Sequence, residues 1–102
     1  MPRLVVLYKP PEDTDAFDAH YRDVHTSIVS RYPRLRDTRI SKLAGVGGRP
    51  SPYYLMAEMA FDSFGDLDEA LGSEAGAESA RDLRTFAGAG VSMFVVPDEA
   101  DA

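Results

Sequence analysis

Strand-like and helix-like hydrophobic patterns alternate along the chain, and this order constrains the fold more than any other feature of the sequence. Four short β-rich runs are bounded by proline, glycine or charged residues, a pattern that is typical of strands. These runs are residues 3–9, 35–46, 53–61 and 91–96. Because the loop GGRPSP joins the second run to the third, we expect those two strands to form a hairpin.

Helical periodicity fills the two long intervals between these strands. The first helix is expected to begin at Asp13 or Thr14 and to end at Pro33, with a stripe of apolar residues at spacings of 4, 3 and 4. The stripe consists of Phe17, Tyr21, Val24 and Ile28. The second helix is split into two parts, which Ser63 and Ser73 are placed to cap.

The resulting order, β-α-β-β-α-β, predicts an α+β domain of the ferredoxin-like kind, with a four-stranded antiparallel sheet and a split second helix. At 102 residues the chain has room for a single core. We therefore expect one domain over residues 1–97, followed by a short acidic tail over residues 98–102.

Both faces of the predicted sheet carry apolar side chains. In the first strand Leu4 and Val6 point to one face, while Val5 and Leu7 point to the other. Two short helices can cover only one face, and an uncovered apolar sheet exceeds the few hundred Å² that monomers usually expose. The sequence therefore predicts a homodimer through the sheet face; the alternative is an open cleft for an apolar ligand.

Composition excludes several classes of function. The chain has no cysteine, which rules out a disulfide framework, a thiolate nucleophile and a zinc finger. Its net charge of −6 repels nucleic acid and anionic membranes, and its apolar runs fall far short of the roughly 20 residues of a membrane span. The N-terminal stretch LVVLY is too short for a signal peptide, so a cytoplasmic location is expected.

Both histidines of the chain, His20 and His25, lie on the first helix five positions apart. In a regular α-helix this spacing turns the two rings about 140° apart, so we expect neither a shared metal nor a matched pair. Tyr21 and His25 are four positions apart and can touch. His25 is therefore the candidate general acid/base, with Tyr21 orienting it. The alternative for His25 is a surface or capping hydrogen bond, and packing suffices for His20.

Four further residues are candidates for binding a substrate between the first helix and the sheet. Tyr8 and Tyr54 can donate hydrogen bonds inside a cavity, although tyrosines on strands are more often core or interface residues. Glu58 lies in mid-strand among apolar neighbours, where a carboxylate needs a cationic partner or a histidine across the sheet. Phe17, on the apolar stripe, is the fourth candidate.

The order of several short motifs resembles the EthD family of dimeric α/β-barrel proteins. Tyr8-Lys9-Pro10 ends the first strand, F-x-x-H-Y-x-x-x-H covers residues 17–25, F-x-S covers residues 61–63, and Gly72-Ser73 precedes the last helix. The resemblance implies a ferredoxin-like subunit and a homodimer whose sheets form a barrel. It also implies that the histidine matching His25 faces the cavity between helix and sheet as a proposed acid/base.

What the resemblance implies about activity is broader. The family's founding member is associated with degradation of an alkyl ether alongside a cytochrome P450 system. Similar proteins include muconolactone methylisomerases and cofactor-free cyclases or decarboxylases of polyketides. This chain departs from the methylisomerases because it has no cysteine and no histidine beyond the first helix.

Three functions remain open at this point. The first is a cofactor-independent enzyme, of isomerase, cyclase or decarboxylase type, that acts on a small apolar cyclic, aromatic or polyketide-like molecule. The second is a non-enzymatic protein that binds a small ligand or assists a catabolic oxidation system. The third is a monooxygenase or heme-binding protein of the wider barrel superfamily, in which His25 would serve as an axial ligand or a base.

Overall fold

The computed structural model describes residues 1–97, and the predicted acidic tail lies outside the described residues. Four strands form one sheet in the order β2-β3-β1-β4, and every neighbouring pair is antiparallel. The strands are β1 Arg3–Tyr8, β2 Asp37–Lys42, β3 Leu55–Ala60 and β4 Val91–Val96. The predicted α+β, ferredoxin-like order of elements is confirmed.

Helices pack on one face of the sheet. The interval between β1 and β2 holds α1 Thr14–His20, a π-helical turn Tyr21–His25 and α2 Thr26–Val29. The interval between β3 and β4 holds α3 Phe64–Leu71 and α4 Glu74–Phe86. No helix within residues 1–97 is long and apolar enough to cross a membrane.

Side-chain caps fix where these helices begin. Asp13 accepts a hydrogen bond from the backbone N–H of Ala16 at 3.1 Å, and Ser63 accepts one from Asp66 at 3.1 Å. Ser73 caps α4 in the same way. Each cap satisfies a backbone donor that the first helical turn leaves without a partner, and all three agree with the sequence prediction.

The π-helical turn lies between the two histidines and changes their relative position. The backbone N–H of Thr26 donates to the carbonyl of Tyr21, five residues back instead of four. A π turn therefore aligns residues five apart much as a regular α-helix aligns residues four apart. The expectation that His20 and His25 point in divergent directions was wrong, because it assumed a regular helix throughout.

The core lies between the helices and one face of the sheet. This face presents six buried strand residues: Leu4, Val6, Tyr8, Leu55, Ala57 and Met59. Phe61 and Leu67, together with Tyr8, are the largest side chains that are fully enclosed. The packing places β1 and β3 under the first helix, where the predicted site lies.

The other face of the sheet is apolar only in part. Val5 and Phe94 face each other across β1 and β4, and the Phe94 side chain is 55% exposed. At the β2 side the same face becomes charged, because Glu58 lies opposite Arg39 in the register. The prediction of apolar side chains on both faces is thus correct for the β1–β4 half and wrong for the β2 edge.

Candidate active site

A carboxylate on α4 joins the two histidines of the first helix. Nε2 of His20 donates to Oδ1 of Asp82 over 2.7 Å, and Nδ1 of His25 donates to Oδ2 of the same residue over 2.9 Å. The π-helical turn makes this possible, because it brings both rings to the side of the helix that faces α4. The result is a cluster of one acidic and two imidazole side chains, which we call the His–Asp–His cluster.

The sequence prediction did not include Asp82. A signal was present, since Glu78 and Asp82 lie four residues apart on α4 and form an acidic row. Arg31 donates to Glu78 over 2.8 Å, so the acidic row faces His20 and His25 on the opposing helix and Arg31 in the turn after α2. Asp82 lies 57 or more positions from the two histidines along the chain. The complementary charges of the two rows are therefore recognised only when the helices are seen packed together.

The buried end of the cluster is His25. Its side chain is 3% exposed, and burial lowers its pKa below the ordinary value, although the hydrogen bond to Asp82 acts in the opposite direction. We therefore treat the ring as neutral at neutral pH, with its proton on Nδ1 because Asp82 accepts there. Among residues 1–97, no group hydrogen-bonds to the other ring nitrogen, Nε2, so its lone pair is available as a base.

Aromatic rings enclose the cluster. Phe86 stacks on His20 with the ring centres 4.7 Å apart, and it lies 5.0 Å from the His25 ring. Tyr21 contacts His25 at 5.4 Å, as its four-residue spacing predicts. These rings lower the local dielectric, which strengthens the hydrogen bonds of the cluster.

Two buried phenols stand beside His25. Tyr8 and Tyr21 meet edge to face at 5.5 Å. Burial raises the pKa of Tyr21 to about 12, and burial together with the Tyr21 phenol raises that of Tyr8 far above its ordinary value. Both phenols therefore keep their protons over the physiological range, so they can donate hydrogen bonds but cannot act as bases.

An apolar cavity of about 120 Å³ lies between α4 and the sheet, and His25, Tyr8 and Tyr21 all line it. Most of the remaining wall is aliphatic, with Met59 and Val6 from the sheet. Met93, 55% exposed, and Leu71, 42% exposed, form part of the wall near the surface. This is the type of mainly apolar pocket with a few convergent polar groups that small-molecule sites use.

The structure separates the other predicted site residues from this cavity. Tyr54 packs its ring on Phe17, and its hydroxyl donates to Asp18 over 2.9 Å, so it ties the start of β3 to α1. Phe17 contacts Tyr8 at 5.5 Å, but it lines a separate outer cleft together with His20. Glu58 points to the opposite face of the sheet, as its register with Val5 shows, so it does not share a pocket with His25.

No group of three or more histidine or acidic side chains within residues 1–97 has the arrangement of a metal site. In the His–Asp–His cluster each histidine directs one ring nitrogen at the carboxylate. The two hydrogen bonds to Asp82 therefore join the three side chains of the cluster to one another.

The fold and the site together define the class of protein. It is an α+β, ferredoxin-like domain with a buried histidine–aspartate pair beside an apolar cavity. Within that class, the model of the EthD domain matches residues 9–90, and the chain belongs to the EthD family.

An uncharacterized 11.0 kDa protein from the thcB-thcC intergenic region of Rhodococcus erythropolis is 31% identical over 99 residues, which cover 97% of this chain and 96% of the relative. The crystal structure of an ethyl tert-butyl ether D (EthD) family protein from Bacillus halodurans is 33% identical, covers 97% of this chain and 99% of its own, and superposes with a TM-score of 0.91.

More distant structures share the fold alone. SnoaB from Streptomyces nogalater, described as a cofactor-independent oxygenase, has a TM-score of 0.72 at 11% identity, over 98% of this chain and 94% of its own. A dimeric protein of unknown function from Bacteroides fragilis, described as ferredoxin-like, has a TM-score of 0.68 at 11% identity, over 95% of each chain. The ferredoxin-like fold of this subunit therefore occurs in dimeric proteins.

Proposed function

We propose that this chain is a cofactor-independent enzyme in which His25 moves a proton on a small apolar cyclic substrate. The observation that carries the proposal is the hydrogen bond from His25 Nδ1 to Asp82, beside a cavity that His25 itself lines. A carboxylate on one ring nitrogen fixes the tautomer and makes the other nitrogen a better base. Histidine is also the side chain most often used for general acid–base catalysis.

The volume of the cavity limits the substrate. An apolar cavity of roughly 150 Å³ binds benzene, so the 120 Å³ beside His25 matches about one six-membered ring. A fused polyketide is larger than this space, and it would need the Met93 and Leu71 side of the cavity to open. We therefore favour a single-ring substrate among the classes that the sequence suggested.

The reaction requires only a proton transfer. Nε2 of His25 removes a proton from the carbon next to a carbonyl group. The electron pair of the C–H bond forms a C=C bond, and the π pair of the C=O bond moves onto the carbonyl oxygen. Tyr8 or Tyr21 donates a hydrogen bond to that oxygen as negative charge develops. In an unsaturated ketone the negative charge extends to a second carbon, and return of the proton to that carbon gives an isomer with the C=C bond moved, with no net oxidation or reduction.

We also propose that the protein works as a homodimer through the open face of the sheet. Phe94, which pairs with Val5 across β1 and β4, leaves a large apolar side chain exposed on that face, which the helices of the same chain do not cover. Two proteins of similar fold, from Bacteroides fragilis and Thermobifida fusca, are dimeric, which supports assembly into a dimer.

Hydrogen–deuterium exchange tests the catalytic proposal without knowledge of the natural substrate. Cyclohexanone and 2-cyclohexenone are incubated with the protein in D₂O, and loss of the α-proton signal is followed by NMR. We expect exchange with the wild-type chain and a loss of about 10²- to 10⁴-fold in His25→Asn, because asparagine keeps a donor toward Asp82 but lacks the basic nitrogen. Glu58→Gln, on the opposite face of the sheet, is the matched control and should exchange at the wild-type rate.

The same experiment separates the alternatives. A ligand-binding or accessory protein would bind the ketone, seen as chemical-shift changes at the cavity residues, with no exchange above the background rate. An oxygenase would consume dissolved O₂ with its substrate, which an oxygen electrode detects. Equal exchange by the wild-type and His25→Asn chains would refute the role of His25.

A further inference from the structure

His20 forms the solvent-facing end of the His–Asp–His cluster. Its side chain is 27% exposed, whereas that of Asp82 is 11% exposed and that of His25 is 3% exposed. It also lines an outer cleft of about 580 Å³, which Phe86 lines as well. A packing residue at this position would need no hydrogen bond, yet His20 makes the shortest one of the cluster, 2.7 Å to Asp82 Oδ1.

We propose that His20 is a positioning residue that acts through Asp82 to set the tautomer and the charge of His25. This inference rests on the proposed function, in which His25 is the base. It assigns to His20 a role that is separate from packing and that requires no contact with substrate.

The geometric part of the role follows from the two oxygens of one carboxylate. Oδ1 accepts from His20 and Oδ2 accepts from His25, so the plane of the carboxyl group is fixed by two donors. Without His20, Oδ1 would turn toward water in the shallow groove that Asp82 shares with Val24 and Arg81. The hydrogen bond at Oδ2 would then lose its alignment, and His25 would no longer be held in the Nδ1–H tautomer.

The electrostatic part of the role depends on how many protons the cluster holds. A neutral His20 donates to Asp82 and leaves its negative charge in place, which favours proton uptake by His25. A protonated His20 neutralises that charge, and its own charge lowers the pKa of His25. The protonation of His25 therefore depends on His20 as well as on the carboxylate that both rings contact.

The other ionisable groups near His20 and His25 do not take the place of His20 beside Asp82. Tyr8 on β1 and Tyr21 on the π-helical turn stay protonated near His25 because burial raises their pKa values; burial also raises that of Tyr32. On the outer side, Glu12 and Asp13 share the cleft with His20. Glu78 and Arg81 of α4 share the shallow groove with Asp82.

Histidine NMR tests the inference directly, because the chain contains only two histidines. Labelling with ¹⁵N-histidine reports the tautomer and the titration midpoint of each ring. In the wild-type chain we expect His25 in the Nδ1–H tautomer, with a lower midpoint than free histidine. Backbone amide spectra establish that each variant below is folded.

Two substitutions of His20 separate its two roles. In His20→Gln the amide can still donate to Oδ1 but carries no charge, so His25 should keep its tautomer while its midpoint rises. In His20→Phe the ring can still stack on Phe86 but has no donor, so the resonances of His25 should show a mixture of tautomers. Identical tautomers and midpoints for His25 in all three chains would overturn the inference.

Ketone exchange on the same samples separates this inference from the proposed function. Slower exchange in His20→Phe than in His20→Gln, with equal ketone affinity, supports the positioning role. If the wild-type chain shows the NMR coupling but no exchange, the proposed function fails while the coupling of the two histidines stands. If the wild-type chain exchanges and both variants match it at every pH, the positioning role fails and the proposed function stands.

Discussion

Oδ2 of Asp82 lies 2.9 Å from Nδ1 of His25, although 57 positions separate the two residues in the chain. The contact exists because α4 packs against the π-helical turn and α2, and because a π turn presents His20 and His25 on the same side. An asparagine at position 82 would preserve the shape of the side chain and remove its charge. It would thereby test whether the carboxylate, and not only the packing, defines the site.

We expect Asp82→Asn to reduce ketone exchange by about 10²- to 10⁴-fold. The amide group can donate to a histidine nitrogen, so it would favour the Nε2–H tautomer of His25 and block the lone pair that faces the substrate. The measurement is the exchange rate together with the ¹⁵N shifts of His25. Glu78→Gln, one turn earlier on α4, is the control; it loses only a partly exposed pair with Arg31 and should retain activity. Full activity of Asp82→Asn would contradict the proposed orientation of His25.

Stability should depend on pH through His25. Burial lowers the pKa of this ring in the folded chain, so the unfolded chain takes up a proton at a higher pH than the folded chain does. The stabilisation is therefore present above the ordinary histidine pKa of about 6.5, and it is lost as the pH falls through the lower folded value. Urea unfolding at a series of pH values between about 7.5 and 5 should show a decreasing free energy of unfolding.

The control for this pH dependence is His25→Asn, in which position 25 does not titrate. We expect its free energy of unfolding to change less over the same range, although the variant is less stable overall. Parallel profiles for the two chains would show that His25 does not couple folding to proton uptake.

Local patterns were sufficient to predict most of the backbone. Strand β4 coincides with the predicted residues 91–96, and Asp13, Ser63 and Ser73 cap the helices at the predicted positions. These features depend on side-chain alternation and on hydrogen bonds between residues three apart, which a sequence displays directly. The strands β2 and β3 are shorter than predicted, since apolar residues continue into the flanking loops.

The site was less accessible to prediction, because it depends on two non-local facts. The sequence pointed to His25, Tyr21 and Tyr8, all of which line the cavity. It gave no indication of the π-helical turn, since no residue type specifies one. Without that turn His20 appeared remote from His25, and Asp82 appeared to be one of many surface acids. Glu58 was misplaced for a related reason: its register in β3 directs it to the opposite face.

Two glycines of the paired helices should respond in opposite ways to alanine. A Cβ at Gly76 in α4 would lie 2.4 Å from the carbonyl oxygen of Ala70, so Gly76→Ala forces α4 away from α3 and should cost about 1–3 kcal/mol. Gly65 in α3 has open space, with its nearest contact the Ser63 hydroxyl at 3.8 Å. Gly65→Ala should therefore stabilise the chain by up to about 1 kcal/mol, through helix propensity and a less flexible unfolded chain. Urea unfolding measures both, and a destabilised Gly65→Ala together with a neutral Gly76→Ala would contradict the packing described for α3 and α4.

The open face of the sheet provides the test of assembly. Phe94 is exposed beside Val5 in the isolated chain, so a glutamate at position 94 would place a charge in the proposed interface without disturbing the core. We expect light scattering at micromolar concentration to show the wild-type protein at twice the 11.2 kDa of one chain and Phe94→Glu at the mass of a monomer.

Val46→Glu, in the exposed loop between β2 and β3, is the control and should stay dimeric. A wild-type monomer would leave the apolar half of this face uncovered, and that result would refute the proposed dimer. Because the histidines and Asp82 lie on the other side of the sheet, a monomeric but folded Phe94→Glu should keep the ¹⁵N shifts of His25 unchanged.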